Sequence, residues 1–362
     1  MVEEPHESSF QLHAISYPKD FDSTLSEQLK SRIFNEKMLM ENVTRIMKIE
    51  KPAEEEGQVL IRTIYLSLDP YMRGRMRAGP SYAKALQVGD VITGEVVGEV
   101  ISSKSTNFSA GDVVTANIGW QAYGVADSNV VRCVDPALAP ISTSLGILGM
   151  PGCTAYCGLL NVGQPKSGET VVVSAASGAV GALVGQIAKI KGCRVIGIAG
   201  SDEKCSYVRD ELGLDAAINY KTQDLEEALS ATCPEGIDVY FDNVGGPILD
   251  AIMNHINIGA RIAVCGAISD YNHDVPASGP RVSRTLVFKQ AKMEGFLVTQ
   301  FRDQHQECRN QMATWMREGR IVYKEDFVDG LKHAPGAFIG LLRGENFGKL
   351  VVQVGADHFS NR

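Results

Sequence analysis

The stretch Thr170-Val171-Val172-Val173-Ser174-Ala175-Ala176-Ser177-Gly178-Ala179-Val180-Gly181 decides the fold. Its first four residues are all β-branched, the composition of a buried strand. A turn of small residues comes next, and an apolar run over residues 179–191 reads as a helix. The turn matches the fingerprint G-x-G-x-x-G with Ala176 in place of the first glycine. In that fingerprint one glycine lets a pyrophosphate approach the backbone and another lets the helix pack on the sheet. Gly178 and Gly181 hold those two places, and free N–H groups at the helix start would face the phosphates. Gly178, Ala179, Val180 and Gly181 are therefore the first candidate cofactor-binding residues. Alone, two glycines three apart say little, because any tight strand-to-helix turn uses them. They gain weight from their place at the first turn of a repeating strand–helix unit.

Outward from this turn, strands are expected at 194–199, 216–220, 239–242 and 261–265, and helices at 202–212, 224–231 and 248–256. Alternation of this kind implies a parallel sheet covered on both faces. Before it, residues 59–68, 91–101 and 113–118 are β-like, with Gly89-Asp90 and Gly111-Asp112 as turns, and read as a compact all-β unit. After it come an amphipathic helix at 304–318 and a tail, residues 321–354, too short to be a domain and expected to fold back onto the β unit. The expected domains are 1–147, 148–318 for dinucleotide binding, and 319–362 returning to the first. Met150-Pro151 reads as the hinge.

Length and composition agree. The 362 residues suggest two domains, and 44% hydrophobic with 22% charged residues is a globular balance. A formal charge of −8 lacks the broad positive field that nucleic-acid binding needs. Residues 170–188 carry no charge, but Ser174, Ser177, Gly178, Gly181, Gly185 and Gln186 interrupt them, so no membrane insertion is expected. The eight cysteines are scattered without C-x-x-C spacing, as in a chain with reduced thiols. The first residues are acidic and polar with no apolar leader, which points to a cytoplasmic protein.

The second strand ends at Ala199-Gly200-Ser201, where an NAD enzyme usually has Asp or Glu for the ribose hydroxyls. Small residues there leave room for a bulkier group, and Lys204 lies just beyond, at the helix start, suited to a 2′-phosphate. Gly200, Ser201 and Lys204 thus point to NADP(H). Asp202 is the competing ribose partner, or simply the N-cap of its helix.

Three hydride chemistries can be tested. A zinc alcohol dehydrogenase needs Cys and His ligands, but the β unit reads Thr93-Gly94-Glu95 and no His lies between His13 and His255. A short-chain dehydrogenase needs Tyr with Lys four residues on, and no tyrosine here has one. A hydrolase elbow G-x-S-x-G is absent. Metal-free hydride transfer with a hydroxyl donor remains.

Further stretches carry a resemblance. They are Tyr65-Leu66-Ser67-Leu68-Asp69-Pro70-Tyr71-Met72-Arg73, Gly149-Met150-Pro151-Gly152, Asp215-Ala216-Ala217-Ile218-Asn219-Tyr220-Lys221, Tyr240-Phe241-Asp242-Asn243-Val244-Gly245-Gly246 and Cys265-Gly266-Ala267-Ile268-Ser269-Asp270-Tyr271-Asn272, with Phe296-Leu297-Val298 and Asn346-Phe347-Gly348-Lys349 near the end. With them the chain resembles the zinc-free medium-chain dehydrogenase/reductases, in the prostaglandin reductase branch, which includes leukotriene 12-hydroxydehydrogenases and alkenal or enone double-bond reductases. The first 50 or so residues match poorly, residues 25–41 looking like a variation of this lineage. Tyr65 and Asp274-Val275-Pro276 look closer to the oxo-prostaglandin-selective type.

The resemblance implies an α/β fold, a Rossmann domain inserted into a GroES-like β-barrel-type catalytic domain. It implies NADPH-dependent reduction of the C=C bond of unsaturated ketones and aldehydes, with a lipid enone or enal as substrate. Lys204 and Tyr220 would flank the adenosine phosphate, and Asn243 would lie near a ribose. Cys265, Gly266, Ala267, Ile268, Ser269 and Tyr271 would line the cofactor, Phe296, Leu297 and Val298 would carry its amide, and Asn346 would reach back from the tail. Tyr271 would donate to the substrate carbonyl, and Tyr65, Tyr71 and Trp120 would wall the substrate cleft. Plainer roles compete: Tyr65 and Tyr71 as core residues with tied hydroxyls, Asn243 and Asn346 as turn formers. His255, His273 and His305 receive no role. The competing functions are a hydroxy-eicosanoid or alcohol dehydrogenase and a cofactor-binding protein with little turnover. A homodimer would pair edge strands near residues 292–298.

Overall fold

The computed structural model describes residues 8–14, 44–50, 52–76, 82–87, 89–273 and 277–359, the first two segments as backbone only. Residues 25–41 and Asp274-Val275-Pro276 lie outside the described residues. The chain divides into two compact units. One takes the described residues up to Leu145 together with Asp326–Glu345 and the segment from Leu350 on, and the other takes Gly146–Glu325 and Asn346–Lys349.

The first unit opens with β1 (Ser8–Ala14) and β2 (Thr44–Glu50), an antiparallel pair. Then come β3 (Gln58–Ser67), the short helix α1 (Tyr71–Arg75), β4 (Val96–Ser103), β5 (Val113–Ala116), β6 (Tyr123–Asp127) and β7 (Arg132–Cys133). The expected single strand at 91–101 is shorter than read. Only Val96 onward is strand; just before it Gly94 passes so close to Leu66 and Trp120 that no side chain would fit there.

The second unit begins with α2 (Met150–Cys157) and β8 (Thr170–Ser174), then α3 (Gly181–Ile190), β9 (Arg194–Ala199) and α4 (Asp202–Ser206). A wider turn of helix, Tyr207–Glu211, continues α4. Next are β10 (Ala216–Asn219), α5 (Leu225–Thr232), β11 (Ile237–Asp242), α6 (Gly246–His255), β12 (Ile256–Val264), α7 (Ser283–Lys289), β13 (Lys292–Gly295) and α8 (His305–Arg317). The strands form one parallel sheet in the order β10-β9-β8-β11-β12-β13. Numbered within the sheet this is 3-2-1-4-5-6, the doubly wound order, whose direction reverses between β8 and β11. Ligands of such sheets bind outside the carboxyl ends of the strands at that reversal. One face is sealed by Val172, Ile196, Ile218, Tyr240 and Ile262 packed against helix residues such as Leu229, Ile248 and Ile252. The residues of β8 are all buried, as a central parallel strand requires.

The chain ends with β14 (Glu325–Asp329), α9 (Ala334–Leu342) and β15 (Lys349–Gln353). β15 adds antiparallel to β3, Val351 opposite Ser67, in a seven-stranded sheet ordered β14-β15-β3-β4-β5-β7, with β6 pairing antiparallel to the first half of β3, Gln58–Arg62. Phe338 of α9 packs edge-on against Trp120, ring centroids 5.7 Å apart, in this unit's core. No helix among the described residues is long and apolar enough to cross a membrane.

Candidate active site

The turn after β8 is tighter than the fingerprint alone implies. The residue with positive φ is Ala175, at +50°, one place before the position where the fingerprint has its first glycine. Ala176 is instead fully buried, against Gly197 of β9. The Gly178 amide closes the turn on the Ala175 carbonyl at 2.9 Å. A side chain on Gly181 would run into the Ala175 carbonyl and backbone, so glycine is required there for the helix to start this close to the strand. No side chain caps α3, whose N-cap is Val180; the amides of Ala182 and Leu183 turn back onto the carbonyls of Gly178 and Val180 at 3.0 and 3.1 Å, and the positive end of the helix faces outward from the turn. Gly348, from the chain's return, bonds to the Ser177 carbonyl at 3.1 Å and buttresses the turn. The Asn346 amide donates to the Gly348 carbonyl at 2.9 Å, holding that returning segment in its bend.

At the tip of β9 the residue that caps α4 is Ser201, whose hydroxyl accepts from the Lys204 amide at 3.2 Å. Asp202 is the first residue of the helix rather than its cap. The Tyr220 ring, 41% exposed, leans over Gly200. Gly200, Ser201, Lys204 and Tyr220 thus share one end of the sheet.

On the other side of the reversal a buried polar knot ties the strand ends together. Asp242 Oδ1 accepts from the Tyr240 hydroxyl at 2.8 Å and from the amides of Val244 and Gly245 at 2.9 and 2.8 Å. Ser174 accepts from the Asn243 amide at 2.9 Å, and the Asn243 side chain donates to the Ser174 carbonyl at 2.8 Å, so Asn243 is locked between β8 and β11. Burial pulls the Asp242 carboxyl above its ordinary range despite those hydrogen bonds.

The segment after β12 is strapped onto this knot. The amides of Cys265 and Gly266 both donate to the Asp242 carbonyl, at 2.8 and 3.1 Å, and the Ser269 hydroxyl donates to the Val244 carbonyl at 2.6 Å. A short 3-10 turn, Ile268–Asp270, then carries Tyr271 back over the strand end. Its hydroxyl lies 3.0 Å from where a Cβ on Gly266 would be, and the Asn243 carbonyl 3.5 Å from that point. The Cys265 thiol is pushed up to about 12, by burial and then by Asp242, so it stays a neutral thiol at physiological pH. Phe296 is buried between Phe241 and Phe301 and wedged onto Gly158; a ligand would meet backbone in this segment, not its ring. Leu297 is 40% exposed, and the Val298 carbonyl bonds the His305 ring at 3.0 Å.

In the β unit, the Tyr65 hydroxyl bonds Asp357 at 3.1 Å and its ring leans on Phe327. Tyr71 opens α1 half-buried, its phenol raised by burial and by the nearby Asp69 and Glu95. Trp120, expected at the substrate cleft, has no exposed surface. This departs from the expected cleft wall: the ring packs against Phe338 and Gly94 as part of the unit's core.

Comparison with known proteins decides the family. A profile described as the N-terminal domain of oxidoreductase matches residues 29–134, and one described as zinc-binding dehydrogenase matches residues 179–318. An NADPH-dependent curcumin reductase of Escherichia coli (strain K12) is 47% identical over 308 residues, 83% of this chain and 89% of that protein. Prostaglandin reductase 1 of Rattus norvegicus is 44% identical over 309 residues, 84% of this chain and 92% of that protein. The chain belongs to the medium-chain dehydrogenase/reductase family, in its prostaglandin reductase branch. The crystal structure of CurA from Vibrio vulnificus in complex with NADPH superposes with a TM-score of 0.86 at 42% identity, covering 96% of this chain and all of that one.

Within this reductase fold the structure brings together Gly178–Gly181 with the bend at Asn346, Gly200 with Tyr220, and Asn243 with Gly266 and Tyr271. Ser174 and Asp242, which the sequence reading did not single out, hold these strand ends together. Their signal was available: each is a polar residue at the last position of a buried strand, the end where doubly wound sheets bind ligands.

Proposed function

We propose that this chain reduces the C=C bond of α,β-unsaturated ketones and aldehydes with NADPH, hydride reaching the β-carbon without a metal. One observation carries the reading: the Tyr271 hydroxyl stands over Gly266 and beside Asn243, at the carboxyl end of the parallel sheet. A nucleotide fits the residues present, since the turn at 178–181 leaves α3 uncapped and the tip of β9 carries no carboxylate. Residues Gly178–Gly181 would take the pyrophosphate, and Gly200, Ser201, Lys204 and Tyr220 the phosphorylated ribose. Asn243, the strap 265–269, the backbone of 296–298 and Asn346 would complete the site. Bound there, the reduced nicotinamide supplies the hydride.

The chain's own part is electrostatic. As the β-carbon is reduced, negative charge collects on the carbonyl oxygen, and the neutral Tyr271 phenol, donating a hydrogen bond to that oxygen, stabilises the enolate. The α-carbon can take its proton from water, so no dedicated acid is needed. Tyr71 and Tyr65 are the substrate-side candidates of the β unit. Oxo-prostaglandins and related lipid enals and enones are the substrates in view. Mixing the protein with NADPH and nonenone should consume the cofactor's absorbance; cofactor binding without turnover across several enones would overturn the reading.

The edge strand β13 and the exposed Val287 and Phe288 of α7 support a homodimer paired through residues 292–298, which sedimentation would test. Eight free cysteines fit a reducing, cytoplasmic setting.

A further inference from the structure

Enzymes that take NADH hold a carboxylate at the tip of the second strand of such a sheet. Here that tip is Gly200. The space its side chain would fill is already taken: Tyr220 Cε1 lies 3.1 Å and Lys221 Cε 3.3 Å from the position of an added Cβ. The stem of Lys221 therefore crosses the spot where the ribose carboxylate would stand and brings its ammonium to the same end of the sheet as Lys204.

Asp202, the acid that begins α4, is held elsewhere. Asp202 Oδ1 accepts the side-chain amide of Asn219 at 2.7 Å. Asn219 ends β10 and is 4% exposed. Its own Oδ1 accepts the Lys221 amide at 3.1 Å, and its backbone N–H donates to Gln223 at 2.7 Å. One buried carboxamide thus ties the Asp202 carboxylate to β10 and fixes the backbone from which Lys221 departs. A carboxylate so occupied is a poor acceptor for two ribose hydroxyls, while a phosphate at Gly200 would meet cations from both sides.

We infer that Asn219 is a positioning residue that sets cofactor choice by withholding Asp202 from the ribose, and that Lys221 is a second cation for the 2′-phosphate. This rests on the NADP(H) reading of the site. The test is calorimetric binding of 2′,5′-ADP and 5′-ADP, with NADPH and NADH alongside, so that no turnover is needed. Lys221→Met should weaken 2′,5′-ADP and NADPH about tenfold, the loss of one charge-assisted contact, and leave 5′-ADP and NADH within about twofold. Asn219→Ala should weaken 2′,5′-ADP and tighten NADH, and adding Asp202→Asn should reverse both changes. Asp202→Asn alone should change little, because its carboxylate is already held; a large gain in NADPH affinity there would overturn the clamp, whether or not Asn219→Ala folds. If Lys204→Met lowers the preference for 2′,5′-ADP while Lys221→Met does not, the inference falls and the NADP(H) reading stands. If the unaltered protein binds the two nucleotides equally, both fall.

Discussion

The hydroxyl of Tyr271 stands directly over Gly266, so near that an added Cβ would come within 3.0 Å of it. The two residues are five apart in the chain, yet only the strap hydrogen-bonded to Asp242 and Val244 makes them neighbours. A side chain at 266 would displace the phenol. Tyr271→Phe is expected to lower turnover on an enone about a hundredfold, the scale of losing one donor to a developing oxyanion, with NADPH affinity changed less than about threefold. Gly266→Ala should also slow turnover, but should cost little more once Tyr271 is Phe, because the clashing oxygen is gone. Steady-state kinetics of the two single variants and the double variant check this; full additivity would remove the contact from catalysis.

Ala175 has φ of +50°, a conformation that costs an alanine roughly 1–2 kcal/mol. Ala175→Gly relieves that strain but loosens the unfolded chain by about 0.4–1 kcal/mol. A net gain of about 0.5–1 kcal/mol is expected, read as a higher midpoint in urea. No gain would mean that the Ala175 methyl packs well enough to offset its backbone.

Asp242 is fully buried, and Oδ1 serves the hydroxyls of Tyr240 and Ser174 and two amides. Asp242→Ala leaves those donors without an acceptor and is expected to cost about 3 kcal/mol or more, with NADPH affinity falling too as Asn243 loosens. Asp242→Asn keeps an acceptor at Oδ1 and should lose distinctly less. Equal losses in denaturant titrations would contradict the assignment.

Arg261 and Glu169 form an ion pair whose side chains are 17% and 19% exposed, and Arg261 also bonds the carbonyls of Gly163 and Gln164. Burial pulls the Glu169 carboxyl upward, but the hydrogen bond from Arg261 and the amide of Lys166 outweigh it and hold it below its ordinary value. A carboxyl lowered by folding stabilises the protein above its unfolded pKa of about 4.3 and loses that contribution as pH falls through the folded value. Glu169→Gln should therefore flatten the acid side of the stability profile. Arg261→Met should cost about 2–3 kcal/mol at neutral pH, a little under the range for a fully buried pair. Unfolding midpoints across roughly pH 3–7 test both; an unchanged acid limb for Glu169→Gln would reject the sign.

Strand and helix alternation was readable because each element's burial imposes its own period. β9 has the expected bounds, and the helix at 248–256 differs only at its ends. The second helix was less readable. Residues 202–212 carry a helical pattern throughout, yet α4 stops at Ser206 and gives way to a wider turn, Tyr207–Glu211. Tyr207 packs its ring on Phe347, centroids 4.9 Å apart, a contact from 140 positions away that no local pattern announces. Trp120 misled for the same reason: an aromatic in a β unit suits a wall or a core equally, and Phe338 of the returning helix settles it as core.

By itself the sequence determined the doubly wound α/β domain, the turn at 178–181, the missing carboxylate at Gly200 and the absence of zinc-ligand spacing, because these depend on residue type and local period. Only the tertiary structure decided that Ala175 bears the turn's strain, that Asp242 knots the strand ends, that Asn219 holds Asp202, and that Tyr271 comes to rest over Gly266. Each of those depends on a hydrogen bond or close contact between side chains and backbone on separate segments, and the packing of the sheet, not local propensity, sets such distances.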